Sequence, residues 1–107
     1  MKVNIKYWEQ EREDVWNSII GMTKFIKENM KIEMDFAFNE SIEENYSCLD
    51  IYGESISPSE CFARCRPDQF VEARTQWLED TYKDLWEDLT NEGFASIGDD
   101  IYMEVID

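Results

Sequence analysis

The sequence predicts an α+β domain, a four-stranded antiparallel sheet with two long helices on one face and one short helix besides. Three observations predict it. Apolar residues alternate with polar ones near both ends of the chain and again over residues 32–38, the period of strands with one buried face. In between, apolar residues recur at threes and fours, the period of helices that pack on one side. The 107 residues are 43% hydrophobic and include four Trp, five Tyr and six Phe, enough for one folded core and too few for two.

Taken in order, Val3, Ile5 and Tyr7 alternate with Lys2, Asn4 and Lys6 and give a first strand. From Glu11 to Glu28, Val15, Ile19, Met22 and Ile26 are spaced four, three and four apart, which predicts a helix. Ile32, Met34, Phe36 and Phe38 then alternate with Glu33, Asp35 and Ala37, which predicts a second strand. The polar stretch Asn39 to Asn45 reads as a loop, and Tyr46 to Tyr52 as the returning strand of a hairpin, with Asp50 opposite Leu49 and Ile51. Ser57-Pro58-Ser59-Glu60 is a capping box with proline at the first helical position, so a short helix runs from Pro58 to about Cys65.

Pro67 restarts the chain. From there to Asn91, Val71, Leu78, Tyr82, Leu85 and Leu89 fall within an arc of roughly 60°, and Gly93 suits the left-handed position after a helix end. Ile101, Met103 and Val105 alternate with Tyr102, Glu104 and Ile106 as a last strand. Strand, helix, strand, strand, helix, strand is the βαββαβ order of the split βαβ, or ferredoxin-like, arrangement. In it Trp8, Trp16 and Trp86 are core or core-margin residues.

The charge carries the functional information. Twenty-five acids oppose ten bases for a net charge of -15, so direct binding to nucleic acid or to an anionic membrane is excluded and the fitting partner is basic. The excess sits in two blocks. Glu33, Asp35, Glu40, Glu43, Glu44, Asp50, Glu54 and Glu60 stand in residues 32–60 with no base, and ten acids stand in residues 75–107 with Lys83 alone. On the expected fold, Glu33, Asp35, Asp50 and Glu104 would make the open sheet face acidic. On the long helix Asp80, Asp84 and Asp88 are spaced by four, with Glu87 beside them and about 6 Å of rise between neighbours.

Like charges at that spacing weaken a helix by a few tenths of a kcal/mol per pair, which suggests selection for something besides stability. Carboxylates repeated along a helix fit the phosphate-binding groove of a basic protein and steer encounter with it. Exposed ion pairs contribute about 0–1 kcal/mol each, so such binding also needs an aromatic anchor. Trp77 lies between Asp84 and Asp88 on the helical wheel, with Phe70 on the same side, and is the candidate; packing at the core edge under the short helix is its other reading. The expected contact surface is Glu33, Asp35, Glu40, Glu43, Glu44, Trp77, Asp80, Asp84, Glu87 and Asp88.

No cofactor, metal site or catalytic residue is expected. Cys48, Cys61 and Cys65 lack the paired spacing of a zinc site, the chain has no histidine, and the three thiols are expected to be reduced and buried. Asp99-Asp100 with Glu104, and Glu43-Glu44, lack the spacing of a calcium loop. The absent histidines also remove the usual general base near neutral pH, and neither a glycine-rich phosphate loop nor a nucleophile elbow is present. Without a signal-like start or a long apolar run, the expected location is the cytoplasm.

As a class, the chain resembles the small acidic inhibitors carried by phages, the anti-restriction and anti-CRISPR proteins. Asp84-Leu85-Trp86-Glu87-Asp88 is similar to a local run in a phage anti-restriction DNA mimic that is otherwise largely helical. The resemblance implies blockade of a DNA-binding surface without catalysis, in the host cytoplasm, with a nuclease or a CRISPR or restriction effector as partner. An immunity protein that neutralises a basic toxin nuclease requires the same charge and anchors. A structural domain whose acids serve solvation alone is the third reading, and it predicts no salt-sensitive partner.

Overall fold

Two hairpins at opposite ends of the chain make the sheet. The computed structural model describes residues 1–45, 49–51 and 54–106. Its elements are β1 (Lys2–Tyr7), β2 (Gln10–Val15), α1 (Ile19–Asn29), α2 (Lys31–Asn45), β3 (Leu49–Ile51), β4 (Glu54–Ile56), α3 (Pro58–Cys65), α4 (Pro67–Glu92), β5 (Phe94–Ile97) and β6 (Ile101–Val105). The four-stranded sheet has the order β2-β1-β6-β5, with each neighbouring pair antiparallel. The first and last strands are therefore central, and the helices with the β3–β4 ribbon lie between the hairpins in sequence.

The α+β class and the four-stranded antiparallel sheet agree with the sequence, but the strand order is not that of a split βαβ. Three local differences account for this. The helix expected over Glu11 to Glu28 is a strand followed by a helix: β2 pairs with β1 in a register running from Lys2↔Val15 to Tyr7↔Gln10. β2 is an edge strand, Gln-Glu-Arg-Glu-Asp-Val, exposed along most of its length. It has no alternating apolar face to read, and its charges discourage further strand pairing.

The second difference is α2. The alternation over 32–38, expected as a strand, and the loop expected over 39–45 both lie in this helix. Met30, Met34, Phe38 and Ile42 are buried at spacings of four, while Ile32 and Phe36 are 70% and 45% exposed. The segment carries both periods, and burial follows the helical one; Met, Glu and Ala are also good helix formers. Only Met30, at φ -127° and ψ 28°, separates α1 from α2.

Third, the strand expected over Tyr46 to Tyr52 is described at Leu49–Ile51, where it pairs with β4 in a separate ribbon. The rest of that expectation, and Cys48 with it, lies outside the described residues.

Elsewhere the expected chemistry matches. Ser57 caps α3, its Oγ accepting from the Glu60 N–H at 3.4 Å, and Pro58 occupies the first helical turn. Gly93 ends α4 in the left-handed region at φ 82°, with its N–H donating to the Leu89 carbonyl.

The core lies between one sheet face and the helices. Val3, Ile5, Tyr7, Ala95, Ile101 and Met103 meet Met22, Phe25 and Ile26 of α1 and Tyr82, Leu85 and Leu89 of α4. Trp16 is 1% exposed and donates its indole N–H to Asp14 Oδ2 at 2.8 Å, so its polar end is satisfied inside. The other sheet face is mixed in charge rather than acidic. Lys2 pairs with Glu13, Asn4 donates to Glu11, and Phe94 stacks on Tyr102.

The molecule measures 55 × 26 × 23 Å with a radius of gyration of 15.9 Å, above the roughly 13 Å of a rounded domain this size. The extra length comes from the α2–α3–α4 end, where Phe38, Phe62, Phe70 and Trp77 form a smaller aromatic cluster with centroids 5.4–5.6 Å apart. Val71, expected on the core stripe of α4, is 49% exposed because the sheet does not reach that far. Among the described residues, no helix is long and apolar enough to cross a membrane.

Candidate functional site

The acidic row on α4 is present as a surface. Asp80, Asp84, Glu87 and Asp88 are all exposed. Asp80 accepts from Gln76 Nε2 at 3.0 Å, and no described residue makes an ion pair with any of the four. The helical period aligns Trp77 with Asp84 and Asp88, at about 10 and 16 Å of rise. Trp77 itself is half-buried and packs against Phe38 at 5.6 Å, so it serves the small aromatic cluster as well as the surface.

The expected sites on residues 33–44 are redistributed, because helix geometry places every third or fourth side chain together. Asp35 is not on a sheet face: it faces α4 and pairs with Arg74 Nη1 at 3.7 Å. Glu43 is not in a loop: it accepts from Ser59 Oγ at 2.9 Å and ties α2 to α3. Glu33 is likewise not on the sheet; it is 7% exposed and turns with Glu40 and Glu44 toward a cleft. Asp50's side chain lies outside what is described, and Glu104 is exposed on β6 as expected.

The cleft, about 200 Å³, lies where α2 meets the two hairpin turns. Glu33, Phe36, Glu40 and Glu44 of α2 line one side, and Trp77, Trp8 and Asp100 close the others. Trp8, expected in the core margin, is 47% exposed and stands edge-on to Phe36 with centroids 6.0 Å apart. It is the first residue of a two-residue turn between Tyr7 and Gln10, and its φ of 54° is left-handed. Glycine normally fills that position in a hairpin turn, so a tryptophan there is held against its own backbone preference. The Trp8 N–H donates to the Asp100 carbonyl at 3.0 Å and joins the two hairpin turns at the cleft.

A second, larger groove of about 670 Å³ runs between α1 and α4. Ile19 and Ile20 give it an apolar lining, and Lys24, Lys27 and Lys83 stand beside them. The bases thus gather away from the cleft, where no Lys or Arg is present.

Among the described residues, two titrating groups are displaced. Burial, then the Asp35 charge, pushes the Tyr82 phenol above its ordinary value of 10.0. The hydrogen bond that Cys61 and Cys65 share, with sulfurs 3.9 Å apart, is the main influence raising the Cys61 thiol above 9.0. Both cysteines are free, but Cys65 is exposed and Cys61 half-buried, because α3 turns this side outward; the expectation of buried thiols does not hold for them.

Trp8, Phe36 and Asp100 are the aromatic and charged cleft residues that sequence reasoning missed, along with the small and apolar remainder of its lining. A signal existed in Tyr7-Trp8-Glu9-Gln10, where the first strand stops, but no glycine marks the turn. Comparison with known proteins gives no match: no family model, curated protein or solved structure is detectably similar to this chain.

Proposed function

We propose that the protein is a non-catalytic inhibitor that occupies the basic nucleic-acid-binding surface of a nuclease or defence effector, as a DNA mimic of the anti-CRISPR or anti-restriction type. The observation that carries this reading is the row Asp80, Asp84, Glu87 and Asp88, exposed along one helix with no cationic partner among the described residues. Two steps of about 6 Å along α4 are comparable with the repeat of alternate phosphates, roughly 7 Å, on one DNA strand. A rigid helix fixes those charges before the partner arrives, which lowers the ordering cost of binding. The acids speed encounter, and Trp77 with the neighbouring aromatic residues supplies the apolar contact that exposed charges lack. Such a protein works in the cytoplasm, where its target meets nucleic acid.

The test is capture of partners from host lysate on the tagged protein at low salt and at roughly 0.5 M salt, with bound proteins identified by mass. A nuclease or DNA-binding effector retained at low salt and lost at high salt supports the proposal. If that protein is a toxin nuclease encoded beside this gene, the same surface serves as an immunity protein. Retention of no basic protein at either salt leaves the acids as solvated surface and ends the inhibitor reading.

A further inference from the structure

Glu33 separates the cleft from the rest of the acidic surface. It is 7% exposed, and no hydrogen bond or ion pair reaches its carboxylate from any described residue. Its carboxylate oxygens keep contact with solvent, so the otherwise buried side chain presents its charge into the cleft, where a partner from outside can reach it. The surroundings specify that partner. Trp8, Phe36 and Trp77 provide aromatic walls, Glu40, Glu44 and Asp100 add negative charge, and no base lines the cleft. Aromatic faces attract a cation, and the aliphatic stem of a basic side chain packs on the same walls.

We propose that the cleft receives the charged end of one basic side chain, arginine or lysine, presented by a polypeptide partner. Its 200 Å³ lies below the roughly 300–1,000 Å³ of sites that enclose drug-sized ligands, and suits a single side chain. A metal ion fits poorly, since among the described residues no three acidic or thiol side chains converge as ligands. The polypeptide source follows from continuity: Trp77 belongs to the cleft and stands in line with Asp84 and Asp88, so a basic surface lying along α4 reaches the cleft with one residue. In this respect the inference rests on the function proposed above and names the anchor of that contact.

The test is a titration of the ¹⁵N-labelled protein with acetylated, amidated Gly-Arg-Gly and Gly-Lys-Gly. Gly-citrulline-Gly keeps the shape without the charge, and agmatine carries the guanidinium without a peptide. The four tryptophans give four indole N–H signals. Those of Trp8 and Trp77 should shift with the Arg or Lys peptide, while that of buried Trp16 stays. Citrulline should bind at least tenfold more weakly. Glu33→Gln removes the charge in the same volume, and should weaken peptide binding at least tenfold without lowering Tm. Trp8→Gly, which suits the left-handed φ, should weaken it as well.

Equal binding of the citrulline peptide, or undiminished binding by both variants, overturns the proposal, and tighter binding of agmatine than of either peptide overturns the polypeptide source. The two readings fail separately. If reversing α4 charges abolishes target capture while Glu33→Gln and Trp8→Gly capture normally, the cleft proposal falls and the inhibitor reading stands. If the basic peptide binds but no nucleic-acid-binding protein is captured, the reverse holds.

Discussion

Tyr82 is 7% exposed where α4 packs against α1 and α2, with Asp35, Lys27, Lys31 and Arg74 around the same depression. Burial, and then Asp35, holds its phenol above the ordinary value, so the folded protein keeps a proton that the unfolded chain releases near pH 10. The corresponding stability is fully present below pH 10 and is lost as pH rises through the higher folded value. Tyr82→Phe should therefore unfold at nearly the same denaturant concentration at pH 8 and at pH 10.5, apart from the background of other alkaline groups. The parent should lose more over that interval. Urea titrations at the two pH values check this, and an equal loss in both proteins would remove Tyr82 as the cause. At Cys61 the hydrogen bond shared with Cys65 acts in the same direction: it holds the Cys61 proton and so disfavours the thiolate. Cys65→Ala should accordingly speed alkylation of Cys61 at pH 8, followed by mass; an unchanged rate would assign the shift to burial instead.

At the scale of elements, α4 links fold to proposed function. One side of its second half buries Tyr82, Leu85 and Leu89, while the acids keep to the sides that face water. Asp84→Lys with Asp88→Lys should then leave the circular dichroism unchanged and Tm no lower, and slow association with the captured target about tenfold or more at low salt. Stopped-flow mixing checks it, and unchanged association would take α4 out of the interface. α3 offers a simpler case. The Glu60 N–H to Ser57 Oγ distance of 3.4 Å is long, so Ser57→Ala should cost toward the lower end of the usual cap range, about 0.5–1 kcal/mol by denaturant unfolding. These two helices, with β1 and β6, were legible because each has either a complete cap or a single unambiguous period. α2 was not: Ile32, Met34, Phe36 and Phe38 satisfy a period of two, Met30, Met34, Phe38 and Ile42 a period of four, and only packing against α4 decides between them. β2 was hidden for the opposite reason, an edge strand having too little buried surface to pattern its sequence. The site followed the same division. The α4 row needed only helix geometry, whereas the cleft needed the true state of α2 and a tryptophan in a turn position that sequence reserves for glycine.

For the whole molecule, a net charge of -15 is opposed among the described residues by three ion pairs, all between side chains at least one-third exposed. Such pairs contribute little, so the fold is held by its core against its own electrostatic repulsion. Salt screens that repulsion over distances of about 10 Å at 0.1 M and about 3 Å at 1 M, which includes the spacing of neighbouring acids on α4. Raising sodium chloride from low concentration to roughly 0.5 M should therefore raise Tm by several degrees. The same screening should weaken the association of this surface with a basic partner. The two responses have opposite signs because one field produces both: repulsion within the free protein, attraction across the interface. Asp80→Asn, Asp84→Asn and Asp88→Asn together should reproduce part of the salt effect, raising Tm at low salt and flattening its salt dependence while reducing target capture. Thermal unfolding and capture measured on the same preparations decide it. If the triple variant gains stability and captures the target as well as the parent, these acids are surface that the fold merely tolerates. If it gains stability and loses the target, the repulsion along α4 is retained for binding.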